Sequence, residues 1–120
     1  MAALMAQYGK PYIFATEGPD TFDCSGLVYY CLRLAGVNVS RWSAADYANV
    51  QAWEEISDYH DLIRGDLIFF RSNSSSNISH VAVYLGNGTY IHASSSAGCV
   101  TITDFGPWSQ RNFVLGRRVF

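Results

Sequence analysis

Six side chains in this 120-residue sequence belong to the types that most readily attack, shuttle protons or bind metals: Cys24, Cys31, Cys99, His60, His80 and His92. Cys24 stands in TFDCSGLVYYC (residues 21–31), between Asp23 and a Ser25–Gly26 pair, where the chain passes from turn-rich to strongly apolar. A free cysteine is more often a buried, inert small hydrophobe than a reagent. For Cys24 to be a nucleophile it needs a group that takes its proton and a second group that orients the first. His80 and His92 are the candidates. Cys24, His80 and His92 can fill the roles of nucleophile, base and orienting residue in that order.

Those roles require particular supporting elements. Apolar residues at 24, 27, 28, 31, 34 and 35 fall on the stripe of a core-packed helix. Asp23 is placed to cap its start and Gly36 to end it in a left-handed conformation. Cys24 then occupies the first turn, where free N–H groups and the helix dipole lower a thiol's pKa. A short helix is expected from Met1 to Tyr8 and another near Ser43 to Val50. Strands are expected at 66–71, 80–85, 89–94, 99–103 and 113–120, with turn-rich pieces between them, FGPWS at 105–109 among these. Helices followed by an antiparallel sheet make an α+β arrangement.

The histidine pair depends on a turn. If Gly86-Asn87-Gly88 forms a three-residue hairpin loop, His92 faces Ala82 and His80 faces Ser94. Both imidazoles then share one face as diagonal neighbours. A two-residue Asn87-Gly88 loop shifts the register by one and separates them.

Composition narrows the classes. Hydrophobic residues make up 49% and charged residues 15%, which is ample core material and little sign of disorder. A formal net charge of −2 argues against general attraction to nucleic acid or anionic membrane. No window approaches the roughly 20 apolar residues of a membrane span, so no membrane insertion is expected. The first residues lack a secretory signal. The Ser/Asn run at 72–79 reads as a solvated loop, and residues 1–120 as one domain. Zinc held by Cys24, His80 and His92 is disfavoured, because no Cys-x-x-Cys or His-Glu-x-x-His spacing supports it.

Three blocks carry a resemblance. YGKPYIF…GPDTFDCSGLVYYCLRLAGV, DLIRGDLIFF and SHVAVYLGNGTYIHAS resemble, in order, the sequence blocks of the NlpC/P60 family of cell-wall cysteine peptidases. The likeness runs from about Ala6 to the last strand. It implies a papain-like fold, with N-terminal helices on an antiparallel sheet of about five to six strands. It also implies a cysteine endopeptidase that cuts peptidoglycan stem peptides, typically between D-γ-glutamate and a diamino acid, and needs no cofactor.

By position, the resemblance makes Cys24 the nucleophile, His80 the base and His92 the orienting residue, with the Tyr12 hydroxyl directed at the oxyanion. Asp23, Ser25, Ser43 and Trp42 fall at substrate-side positions, although capping is an equally good reason for Asp23 and a slightly better one for Ser43. Asp66 is expected at a turn or strand start, His60 on the surface, and Cys31 and Cys99 in core roles, with a disulfide between them disfavoured.

Two departures stand out. Ala15-Thr16 replace a usual Gly-Gly pair, so the loop beside Cys24 is expected to differ in shape. Trp42 stands where members that recognise a free L-alanine amine carry an aspartate, so this chain is expected not to demand that amine. Because peptidoglycan lies outside the cytoplasm, the chain is expected to be one domain of a longer exported protein, with Met1 added and companion domains elsewhere. The alternatives are an N-acetylmuramoyl-L-alanine amidase, another papain-like amidase or acyltransferase, and a non-catalytic wall-binding module.

Overall fold

A computed structural model describes residues 2–120. It contains α1 (Ala2–Met5), α2 (Cys24–Leu34), α3 (Ala44–Ala48), β1 (Glu54–Ile56), a 3₁₀ turn (Tyr59–Asp61), β2 (Leu67–Arg71), β3 (Ile78–Gly86), β4 (Thr89–Ser94), β5 (Cys99–Asp104), α4 (Pro107–Asn112) and β6 (Phe113–Arg118). The six strands form one antiparallel sheet in the order β1-β6-β2-β3-β4-β5. The architecture is α+β, as the sequence pattern predicts.

Two elements depart from expectation. β1 has three residues, too few for an alternation signal, and exists by pairing with β6. The FGPWS turn runs into α4, which opens with Pro107 at a position where its missing N–H has no intrahelical partner to lose. The N-terminal helix is also shorter than the expected 1–8 span, and Met1 lies outside the described residues.

Strand alternation divides the core. Leu67, Phe69, Val81, Val83, Ile91, Ala93 and Val100 pack with Leu4, Leu27, Val28, Leu32 and Tyr47 from the helices. The alternating residues Ile68, Phe70, Ala82 and Tyr90 join Ile56 and Leu62 on the opposite face, with Tyr59, Phe105 and Phe113 against them. The buried stripe of α2 comprises Leu27, Val28 and Leu32, whereas Leu34 is exposed. At the end of α2, Gly36 has φ +86°, with Gly36 N–H bonded to the Arg33 carbonyl and Val37 N–H to the Leu32 carbonyl. This is the left-handed cap expected from the sequence.

The β3–β4 hairpin resolves the register. Its turn is Asn87-Gly88, both with positive φ (55° and 74°), closing on the Gly86–Thr89 pair. That two-residue turn alone separates the histidines. A bulge between Tyr84 and Gly86 absorbs the extra residue, so Tyr84 pairs with Tyr90 and Val83 with Ile91. The register of a three-residue loop is thereby restored, and His80 and His92 share a face.

Candidate catalytic site

The site is assembled from three pieces: the start of α2, the loop that precedes it, and the paired strands β3 and β4.

Cys24 is the first residue of α2 and is partly buried. The cap is Asp23: its Oδ1 accepts from Gly26 N–H at 2.7 Å and its Oδ2 from Ala15 N–H at 2.8 Å. Arg41 Nη2 donates to Asp23 Oδ1 at 2.7 Å, and Arg41 Nη1 to Ser25 Oγ at 2.8 Å. A cap that also ties down the 13–17 loop and an arginine fixes the helix start on three sides. Gly26 is required by close approach, because a Cβ there falls 2.0 Å from the Thr16 carbonyl oxygen. Ala15, in place of the usual glycine, adopts φ +66°. The loop therefore keeps a backbone conformation that glycine adopts more easily.

The thiol pKa is raised above its ordinary value, mainly by burial and further by the Asp23 carboxylate. The Val81 and Ser25 N–H groups and Arg41 oppose the shift. The sequence expectation of a depressed pKa at a helix start is thus reversed: removal from water outweighs the N–H groups and dipole. The same N–H contact places the sulfur against β3 at Val81, the residue after His80.

The imidazoles form a chain. His80 Nε2 lies 2.7 Å from His92 Nδ1, and His92 Nε2 lies 2.9 Å from Thr103 Oγ1 on β5. The His80 and His92 rings meet edge to face at 4.9 Å, and Phe70 stacks near His80 at 6.2 Å. Burial pushes both pKa values down, to about 3 for His80, where the neighbouring His92 adds to the effect, and to about 4 for His92. Both imidazoles are therefore neutral at pH 7.

A neutral pair in this chain has two consistent tautomer sets. In one, His80 Nε2–H donates to His92 Nδ1, His92 Nε2–H donates to Thr103 Oγ1, and His80 Nδ1 keeps a lone pair. In the other the chain runs backwards and the His80 Nδ1 lone pair is lost. Only the first leaves His80 able to accept a proton from a thiol. Among the described residues the thiol has no hydrogen bond to either imidazole. Nucleophile–base contacts are often open before substrate binds.

Tyr12 stands beside this centre. Its pKa is raised by burial and by the proximity of Cys24 and Asp23, which keeps the phenol protonated and able to donate. Ser43 caps α3 in a reciprocal box with Asp46, its Oγ accepting from Asp46 N–H at 3.2 Å. Trp42 packs on Tyr47 at 5.4 Å, half-exposed. Asp66 directly precedes β2, where it accepts from Ile63 N–H and from both Arg118 Nε and Nη2 at 2.9 Å. His60 is exposed and paired with Asp58. All three cysteines are free thiols. No group of three or more His, Cys, Asp or Glu among the described residues is placed to hold a metal ion.

Sequence reasoning missed Arg41 and Thr103. Arg41 lies 17 residues past Cys24 and carries no local signal. Thr103 could have been found by extending the pairing one strand further, since Thr101 faces His92 and Thr103 is its same-face neighbour on β5.

Comparison with known proteins agrees with this geometry. The chain is 38% identical to murein DD-endopeptidase MepH of Escherichia coli over 99% of its own length and 44% of that protein. It is 37% identical to a probable endopeptidase p60 of Listeria grayi over 91% of its length and 20% of the relative. It thus spans less than half of these curated relatives. Among solved structures, NlpC1 of Trichomonas vaginalis superposes with a TM-score of 0.86 at 32% identity, over 98% of this chain and 41% of that one. The peptidoglycan hydrolase RipB of Mycobacterium tuberculosis gives 0.79 at 32% identity, over 99% and 62%. The fold is papain-like. The sequence profile of the NlpC/P60 family matches residues 9–118, and the chain belongs to that family.

Proposed function

We propose that this chain is a cysteine endopeptidase of peptidoglycan stem peptides, cutting the bond between D-γ-glutamate and the following diamino acid. The observation that carries the reading is the hydrogen-bonded His80–His92–Thr103 chain together with a helix-start thiol. As Cys24 attacks the scissile carbonyl carbon, its S–H proton passes to His80 Nδ1. The carbonyl π electrons move onto oxygen, where the Cys24 N–H and the Tyr12 hydroxyl donate to the oxyanion. Collapse breaks the C–N bond, and the imidazolium delivers its proton to the leaving amine. A thioacyl-enzyme remains. Water then attacks the thioester carbonyl, loses its proton to His80, and the C–S bond breaks to release the carboxyl product and the thiol.

Arg41, itself paired with Asp23, and Ser25 supply N–H and O–H donors beside the nucleophile, which supports recognition of the α-carboxylate of a γ-linked glutamate. Trp42 offers an aromatic face rather than a charge, which supports acceptance of stems that lack a free L-alanine amine. Action on peptidoglycan supports a location outside the cytoplasm, secreted or wall-associated. The greater length of its relatives supports companion domains in a longer parent. The name of the MepH relative favours a second reading, cleavage of a bond between two D-centres.

Digestion of sacculi of known stem chemistry, with mass spectrometry of the new termini, separates these readings. A new γ-D-glutamyl carboxyl terminus supports the first, a D-alanyl terminus the second, and a free lactyl group an amidase instead. Fragment release by a folded Cys24→Ala protein rejects cysteine catalysis altogether.

A further inference from the structure

His80 and His92 also line a groove of about 650 Å³ that excludes Cys24, Tyr12 and Arg41. It is lined by Thr101 and Thr103 and by Trp108, which is 39% exposed and packed 5.3 Å from Phe70. Apart from the histidines, its only basic side chain is Arg71, exposed at the end of β2. Arg71 Nη2 donates to the Arg111 carbonyl at 3.1 Å, and among the described residues no carboxylate pairs with it. Asp104, which follows Thr103 on β5, is the one acidic residue that lines it. The groove is therefore polar and hydroxyl-rich, with one guanidinium and one carboxylate among its lining side chains.

Its position fixes which half of a substrate it receives. The general acid must touch the leaving nitrogen, so the residue carrying that nitrogen lies against the His80 ring. The acyl half then lies toward the start of α2, where Arg41 and Ser25 stand outside the groove. Resting on the endopeptidase reading above, we infer that this groove is the leaving-residue subsite and that Arg71 selects a leaving residue bearing a carboxylate. That carboxylate can be the α-carboxylate of a terminal diamino acid or an ω-carboxylate on its side chain. Trp108 supplies the apolar wall for the intervening methylenes.

Matched γ-D-glutamyl peptides test the assignment, with leaving residues of L-lysine, L-lysinamide and meso-diaminopimelate. The wild-type protein is expected to prefer a carboxylate-bearing leaving residue over the lysinamide by about tenfold or more in kcat/KM. Discrimination against lysinamide alone identifies the α-carboxylate. A further gain with diaminopimelate identifies the ω-carboxylate. In Arg71→Gln the preference is expected to fall to within about twofold, and in Arg71→Lys to be partly kept. An unchanged preference in Arg71→Gln, or none in the wild type, overturns the inference.

Titration of free diaminopimelate onto the Cys24→Ala protein, followed at the Trp108 indole N–H by NMR, needs no turnover. A saturable shift that Arg71→Gln abolishes supports the subsite, and no shift overturns it. Wild-type inactivity on every peptide rejects the endopeptidase reading, while the titration still judges the groove.

Discussion

His80 Nε2 and His92 Nδ1 lie 2.7 Å apart, so a single proton sits between two nitrogens and its owner decides whether His80 has a base to offer. The next contact lies one strand away, where Thr103 Oγ1 is 2.9 Å from His92 Nε2. When that hydroxyl accepts, the shared proton lies on His80 Nε2 and His80 Nδ1 is free; when it donates, the shared proton lies on His92.

Thr103→Val removes the acceptor while keeping the side chain's size. The backward tautomer set then competes, and kcat is expected to fall about tenfold with KM little changed, consistent with the loss of about one hydrogen bond's net worth. Thr103→Ser is expected to recover most of the rate. Imidazole ¹⁵N shifts of His80 and His92 report the tautomers directly. Unchanged shifts in Thr103→Val dismiss the positioning role even if the rate drops.

Stability is expected to fall on acidification. Both imidazoles have folded pKa values below the ordinary 6.5, near 3 for His80 and near 4 for His92. The unfolded chain therefore binds protons that the folded chain refuses. Their contribution is complete above about pH 6.5 and is lost progressively as pH falls through about 4 for His92 and about 3 for His80. Thermal melts between pH 7 and 4 measure it. His92→Asn, which cannot titrate there, is expected to show a shallower decline, and an equally steep one argues against the assignment.

The loop before Cys24 offers a pair of substitutions with opposite signs. Ala15→Gly relieves a positive φ and is expected to stabilise the fold by up to about 1 kcal/mol, net of glycine's entropy. Gly26→Ala drives a methyl into the Thr16 carbonyl and is expected to cost about 2 kcal/mol or more, displacing the helix start. Denaturant midpoints of the two variants check both signs. Stabilisation by Gly26→Ala contradicts the packing described here.

Much of this site is legible before any fold is seen. Asp23, Cys24 and Gly36 mark the two ends of α2 through local capping chemistry, which depends on near neighbours only. Ser43 declares its cap in the same way. The two-residue turn is written in Asn87-Gly88, but the bulge that corrects its register is not, because Leu85 is unremarkable in a strand. Arg41 and Thr103 are invisible for a different reason: each acts through a partner distant in sequence that only tertiary packing delivers. The sign of the Cys24 pKa shift is hidden as well, since burial is a property of the whole assembly.

The bulge at Leu85 makes the chemistry a matter of counting as well as of identity. A chain of the same length in which Leu85 pairs regularly, with no bulge, keeps every cysteine, histidine and hydroxyl named above, yet slips β4 so that His92 faces Val83 and projects among the helix-packed residues. Aligned with its relatives by side-chain identity alone, such a chain looks intact. A chain that lacks Leu85 altogether keeps the two histidines on one face, because Tyr84 then meets Tyr90 directly beside the Gly86–Thr89 pair.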